Sequence, residues 1–230
     1  MNDPKYLIWD FDGTLAVRSG GWTSALLSVL ANQAPQLPVT PEQIRPFLSA
    51  GFPWQAPENI HPGLSPDEWW EELLPLFIRA FRGVGVEART APDLAQAVRE
   101  TYLDLSAWQL FADTLPALDA LSRRGWTYIL LTNHVPELDC ILHGLGLDGR
   151  FAAIFNSAAT GIEKPNQKAF RAVREWTGIT ATAWMIGDNY TADILGAQEA
   201  GLPAILVRHP NPAVKYSCAT LEEIENILAS

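Results

Sequence analysis

Apolar residues follow two different rhythms along this chain. Between residues 22 and 105 they recur at three- and four-residue spacing, the period of helices with one buried face. At residues 6–9, and again from residue 106 onward, they come in short continuous runs separated by helical stretches. Such runs read as buried strands. The spacing predicts strands at 6–9, 128–131, 152–155, 184–186 and 204–207. Helices are expected after Asp113, carrying Leu115, Leu118 and Leu121 and closed by Gly125. Others are expected over 137–143, over 167–176 with Phe170, Val173 and Trp176 on one face, over 191–200, and after Thr220.

In the first regime, a helix is expected over 22–32. Thr40-Pro41-Glu42-Gln43 and Ser65-Pro66-Asp67-Glu68 are capping boxes with Pro at the first helical position. Pro46 should end the first of these helices early, and Pro75 should bend the second. Behind Ser65, the residues Trp69, Trp70, Leu73, Leu74, Phe77, Ile78 and Phe81 repeat at helical spacing. A further helix over 90–105 should turn Leu94, Val98, Tyr102 and Leu105 inward. No strand pattern appears in this region, and Arg18-Ser19-Gly20-Gly21 reads as a flexible crossing into it.

Strands alternating with helices imply an α/β fold with a doubly wound parallel sheet. Residues 1–16 supply one strand and 106–230 the rest of this core domain. Residues 17–105 are then an all-helical insertion directly after the first strand. An insertion there lies over the carboxyl ends of the strands, so topology makes it a cap.

Composition narrows the function. The 230 residues are 48% hydrophobic and 18% charged, with a formal net charge of −10. That excess of acid disfavours nucleic acid as a partner, since phosphate-backbone binding needs basic patches. Binding a phosphate group on so negative a body calls for a local cation. The polar start Met1-Asn2-Asp3-Pro4-Lys5 lacks a leader pattern, and no apolar run is long enough to span a membrane. Two cysteines, Cys140 and Cys218, fit a reducing compartment. The expectation is a cytoplasmic protein, with its oligomeric state left open.

Candidate chemistry gathers at the strand ends. The first strand stops at Asp10-Phe11-Asp12-Gly13-Thr14. Two carboxylates there suit Mg²⁺, or one can act as nucleophile and the other as acid/base. An EF-hand is excluded, because Thr14 and Leu15 stand where its loop needs Asp or Asn and then Gly. The second strand ends in Thr132-Asn133, whose hydroxyl and amide suit phosphoryl oxygens. Lys164, fixed by Pro165, follows the third strand, and Gly187-Asp188-Asn189-Tyr190-Thr191-Ala192-Asp193 follows the fourth. Each of these is an ordinary turn or cap when taken alone. Together they place nucleophile, hydroxyl, cation and metal acids at one edge of one sheet, which phosphoryl transfer requires.

Asp10-Phe11-Asp12-Gly13-Thr14, Thr132, Lys164-Pro165 and Gly187-Asp188 through Asp193 resemble, in order, the four motifs of the haloacid dehalogenase-like hydrolase superfamily. The resemblance implies a Rossmann-like core with a helical cap between the first two motifs. It implies a Mg²⁺-dependent phosphatase that hydrolyses a small phosphate monoester through an aspartyl-phosphate. Asp10 would be the nucleophile and Asp12 the acid/base. Asp10, Asp188 and the Asp12 carbonyl would ligate Mg²⁺, with Asp193 behind them as an outer partner. Thr132, Lys164 and the region of Asn133 would hold phosphoryl oxygens. Trp22, Arg45 and Trp54 are candidates for substrate contacts, whereas His134 reads as a packed or surface residue. A 2-haloacid dehalogenase of the same superfamily works without metal and lacks the second acid, so Asp12 argues against it. A phosphomutase, or a phospho-ligand-binding protein on the same fold, remains open.

Overall fold

A computed structural model describes residues 4–61, 63–178 and 181–229. Met1 to Asp3, part of the polar start, lie outside the described residues.

Five parallel strands form the central sheet. They are β1 (Lys5–Trp9), β4 (Thr127–Thr132), β5 (Ala153–Asn156), β6 (Thr182–Gly187) and β7 (Ala204–Leu206). Their spatial order is β5-β4-β1-β6-β7, so β1 lies at the centre with β4 and β6 beside it. This centring places the first carboxylate pair between the ends of the second and fourth predicted strands. Side chains alternate between the two faces of the sheet. Leu7 and Trp9 join one core cluster and Ile8 the other, all fully buried. Each such side chain contributes about 1.5–3 kcal/mol on burial. Both faces of β1 are therefore apolar, as a sheet covered on both sides demands.

The remaining strands, β2 (Ala16–Arg18) and β3 (Trp108–Leu110), form an antiparallel ribbon that no strand pattern predicted, and Arg18 of the expected crossing belongs to it. Three-residue strands are too short to show any periodicity. Between them lie α1 (Gly21–Gln33), α2 (Pro41–Ile44), α3 (Pro66–Gly83) and α4 (Ala91–Leu103). In α3 the Ser65 hydroxyl accepts from the Glu68 N–H at 3.3 Å, and Glu68 accepts from the Ser65 N–H at 2.8 Å. The helix runs on through Pro75, burying Trp69, Trp70, Leu73, Leu76, Phe77, Ala80 and Phe81. Leu105 does not turn inward with α4. It lies beyond the helix end and is exposed.

The core helices are α5 (Thr114–Arg123), α6 (Leu138–Gly144), α7 (Ser157–Thr160), α8 (Gln167–Thr177), α9 (Gly196–Glu199) and α10 (Ile224–Ala229). Asp113 does not cap α5 with its side chain. Its carboxylate instead accepts from Arg208 and from the Leu221 N–H, each at 2.8 Å. Trp176 leaves the buried face of α8 and meets Tyr6 edge-on, half-exposed. The helix expected over 191–200 begins as a π-turn, Tyr190–Leu195. Asn189 sets it up by accepting from the Thr191 and Ala192 N–H groups. Such wide turns gather at functional sites, and this one carries Asp193.

The inserted helices touch the core away from the ribbon as well. Trp70 Nε1 donates to Glu137 at 3.0 Å, and Arg99 pairs with the same carboxylate at 2.7 Å. Farther round, the His61 N–H donates to the Gly161 carbonyl, and Asn166 Nδ2 donates to the Pro57 carbonyl.

Candidate active site

Chain direction brings the ends of β1, β4 and β6 to one point. The turn after β1 is held from three sides. The Phe11 carbonyl accepts from the N–H groups of Thr14, Leu15 and Ala16. Thr114 donates to the Leu15 carbonyl at 2.6 Å, and Arg208 donates to the Thr14 carbonyl at 2.7 Å. Gly13 adopts φ +86°, and a Cβ there would lie 2.5 Å from Asp188 Oδ2. Only glycine lets the turn pass so close to the fourth-strand acid. At Gly187 a Cβ would fall inside the Asp193 carboxylate. Two glycines thus leave room for two carboxylates.

Lys164 is the cationic centre. Its Nζ donates to Asp10 Oδ1 at 2.8 Å and to Asp193 Oδ1 at 2.5 Å, and all three side chains are buried. Burial works against the ammonium, but Asp10 and Asp193 outweigh it and push Lys164 up to about 12. The side chain of Asn133 is not free for a phosphoryl group. Its Oδ1 accepts from the Lys164 N–H at 2.7 Å and its Nδ2 donates to the Lys164 carbonyl at 2.9 Å. Asn133 therefore positions the lysine, and its side chain has no amide group left for a ligand.

Carboxylates of Asp10, Asp188 and Asp193 approach within 4.8 Å of one another. Thr14 Oγ1 reaches Asp188 at 3.2 Å and Asp10 at 3.4 Å. Burial and repulsion from Asp10 push Asp188 up to about 6. Burial likewise raises Asp193, against the pull of Lys164, to about 7. The 2.5 Å contact between Asp193 and Lys164 is nonetheless that of an ionised pair, and added positive charge would keep it so. Asp12 opens to the cavity but has protein on most sides. Burial, then the charges of Asp10 and Asp188, raise it to about 7. Four acids around one ammonium leave surplus negative charge, the setting in which a hard divalent cation binds oxygen donors.

These groups line a cavity of about 530 Å³ together with Trp22, Trp54, Pro57, Tyr102, His134 and Val135. Thr132 is buried at the end of β4, and its hydroxyl has no hydrogen-bond partner among the described residues. Thr132 is not itself among the residues that line the cavity, but its neighbours Asn133 and His134 are, and a buried hydroxyl without a partner is one that a ligand oxygen would satisfy. Trp22 and Trp54 line the cavity. Arg45 does not: it is exposed on the short turn after α2, outside the cavity wall.

The sequence reading passed over other residues here. Arg18, which looked like part of a flexible crossing, is buried and donates to the carbonyls of Gly21, Thr101 and Tyr102. His134, expected to be packed or at the surface, is packed, and it is buried in the cavity wall. Arg208 grips the turn after β1 from 194 residues away. Only a structure could reveal that last pairing, since nothing local marks it.

The profile of the haloacid dehalogenase-like hydrolases matches residues 4–201. A phosphoserine phosphatase from Thermus thermophilus is 34% identical over 64% of this chain and 59% of its own. A phosphoglycolate phosphatase from Rhodospirillum rubrum is 29% identical over 90% of this chain and 80% of its own. Among solved structures, a HAD-hydrolase from Bacillus subtilis, bound to magnesium and described as revealing interdomain movement, is 26% identical. It superposes with a TM-score of 0.75 over 100% of both chains. The chain spans 59–62% of the length of the haloacid dehalogenase-like hydrolase domain-containing relatives from mouse and cattle.

Proposed function

The chain belongs to the haloacid dehalogenase-like hydrolases, and from that premise we propose that it is a Mg²⁺-dependent phosphatase of small phosphate monoesters. The observation that carries this reading is the contrast within one turn. Asp10 is paired with Lys164 at 2.8 Å, whereas Asp12, two residues on, is raised to about 7. Two acids with such different surroundings divide into nucleophile and acid/base.

Asp10 attacks phosphorus, and the bond from phosphorus to the leaving oxygen breaks. Asp12 gives that oxygen its proton. Water then attacks the phosphoryl group on Asp10, Asp12 takes the water's proton, and phosphate leaves with Asp10 restored. Lys164 and Thr132 hold the phosphoryl oxygens, and Asn133 keeps Lys164 in place. Asp10, Asp188 and the Asp12 carbonyl would hold Mg²⁺, with Asp193 outside them orienting Lys164. The ion supplies positive charge that offsets repulsion between carboxylate and phosphate.

Residues 17–105 act as a cap that closes over the cavity to exclude water. The ribbon of β2 and β3 is its hinge and the Glu137 contacts are its latch. The interdomain movement described for the Bacillus subtilis protein supports this reading, as does the magnesium bound there. Described helices include none long and apolar enough to cross a membrane.

The test is release of inorganic phosphate from a panel of sugar, nucleotide and organic-acid phosphates, with Mg²⁺ and with excess chelator. Hydrolysis that the chelator abolishes is expected. No turnover of any ester would leave a phospho-ligand-binding protein as the reading, and full activity in chelator would remove the metal.

A further inference from the structure

The apolar part of the cavity wall has a chemistry that phosphoryl transfer leaves unused. Trp22 and Trp54 both line the cavity and both keep part of their surface open. Their ring centroids are 6.1 Å apart with 34° between planes. Each is backed by another ring. Trp22 stacks on Tyr102 at 3.8 Å and 16°, and Trp54 stacks on Phe52 at 4.6 Å and 10°. Backing of this kind fixes the two indoles in advance, so a ligand meets a preformed π surface at little ordering cost.

The charges on the wall matter equally. Among the described residues that line the cavity, Lys164 is the only cation, and Asp10 and Asp193 engage it. Arg18 lies near enough to Asp12 to influence it. Its guanidinium, however, donates to the carbonyls of Gly21, Thr101 and Tyr102 and to the Ser24 hydroxyl. Among the described residues that line the cavity, no basic group is therefore left to meet a carboxylate on the leaving group. A carboxylate there would be desolvated beside Asp12 without a partner, which is costly.

His134 adds a polar point to this wall. It is buried, with its ring edge-on to Phe11 at 5.4 Å and tilted against Trp108 at 5.3 Å. Neither ring nitrogen has a hydrogen-bond partner among the described residues. Burial lowers it to about 4, against a weaker pull from the nearby Val135 backbone and from Asp10, so the ring is neutral near pH 7 and keeps at least one nitrogen for a ligand.

We propose that the substrate is a phosphate ester of an uncharged alcohol bearing a flat aromatic ring, which packs on Trp22 and Trp54 and hydrogen-bonds to His134. This rests on the phosphatase reading above and departs from the acids named for the two related phosphatases. Two sources share this chemistry: a nucleoside monophosphate, and a simple aromatic alcohol phosphate such as pyridoxal 5′-phosphate.

The test compares kcat/KM with Mg²⁺ for AMP, UMP, pyridoxal 5′-phosphate, phosphoglycolate, phosphoserine and glycerol phosphate. At least one ring-bearing ester should exceed the other three by about tenfold or more, the scale of one base stacked on an aromatic side chain. Whether the nucleotides or the pyridine ester lead distinguishes the two sources. Trp54→Ala should shrink that ratio mainly through KM. His134→Phe, which keeps the packing on Phe11 and Trp108, should shrink it as well. Binding is measured in parallel by calorimetry on Asp10→Asn with AMP, pyridoxal 5′-phosphate and phosphoglycolate. Turnover that favours phosphoglycolate or phosphoserine overturns the ring proposal and leaves the phosphatase reading standing. Ring-selective binding without turnover of any ester supports the ring proposal and removes the phosphatase reading. Absence of both removes both.

Discussion

Lys164 Nζ lies 2.8 Å from Asp10 Oδ1, and neither side chain is more than a tenth exposed. A buried pair of this kind is costly to break from one side, because the remaining charge is stranded. Lys164→Met should therefore cost about 3–5 kcal/mol in denaturant unfolding and abolish turnover. Adding Asp193→Asn should recover part of the stability and none of the activity. Retention of wild-type turnover in Lys164→Met would take the lysine out of the site.

Asp12→Asn should lower turnover about 10²–10⁴-fold, the range for one lost proton transfer. Its loss in the first step should be larger for alkyl esters than for p-nitrophenyl phosphate, whose leaving group needs no proton. The second step would still lack its base, so phosphate should accumulate on Asp10. Rapid-quench mass measurement would detect the adduct. Equal first-step losses for both ester types would remove Asp12 from the acid role.

Gly187→Ala changes no ionisable group, yet its methyl would occupy the place of the Asp193 carboxylate. Asp193 must then release the Asn189 N–H, which it accepts at 3.0 Å, and its grip on Lys164. A misplacement of this kind should cost about 10²-fold in kcat and raise the Mg²⁺ concentration needed for half activity. Unchanged metal titration would show that Asp193 has no bearing on the ion.

Glu137 receives Trp70 from α3 and Arg99 from α4. Because Arg99 is partly exposed, the Arg99–Glu137 coupling in a double-mutant cycle should be only about 0.5–1 kcal/mol. Glu137→Ala should nonetheless speed hydrogen exchange in α3 and α4 relative to the central sheet. Exchange at wild-type rates would mean that other contacts keep the helices in place.

Glu163 is buried, and one carboxylate oxygen has no partner among the described residues. Burial raises it from 4.5 to about 7, against a hydrogen bond from Ser157 and the charge of Lys164. The folded state thus holds this proton where the unfolded state has released it. Stability should fall as pH rises from 4.5 through 7, by on the order of 3 kcal/mol at 1.36 kcal/mol per pH unit. Glu163→Gln does not titrate, so it should melt higher than wild type at pH 8 and gain nothing at pH 4.5. Parallel melting curves for the two proteins across that range would refute the assignment.

Much of this was legible in the sequence because its signals are local. The run Leu7-Ile8-Trp9 shows a strand buried on both sides, and the acids after it mark the end where the candidate site lies. The box at Ser65 fixes the start of α3 to the residue. What could not be read depends on contacts between distant parts. The ribbon of β2 and β3 is too short for periodicity and exists only because Val17 meets Gln109. The π-turn at Tyr190–Leu195 starts from the Asn189 cap and places Asp193 on Lys164, a long-range pairing that helical spacing does not encode. Arg45 was a candidate for a substrate contact, but it is exposed and is not among the residues that line the cavity. His134 looked inert because a lone histidine carries no spacing signal.

In the ribbon, Ser19 donates to the Ala107 carbonyl at 2.9 Å, so the excursion between them leaves and returns through one doorway. A segment whose two ends already touch can be exchanged for another of different length without moving the sheet. The chain is therefore built like a socket and plug. Grafting the stretch between residues 19 and 107 from a relative should change which alcohol is accepted and leave the chemistry at Asp10 alone. New selectivity in this scaffold can arise by replacing a whole insert at once rather than residue by residue.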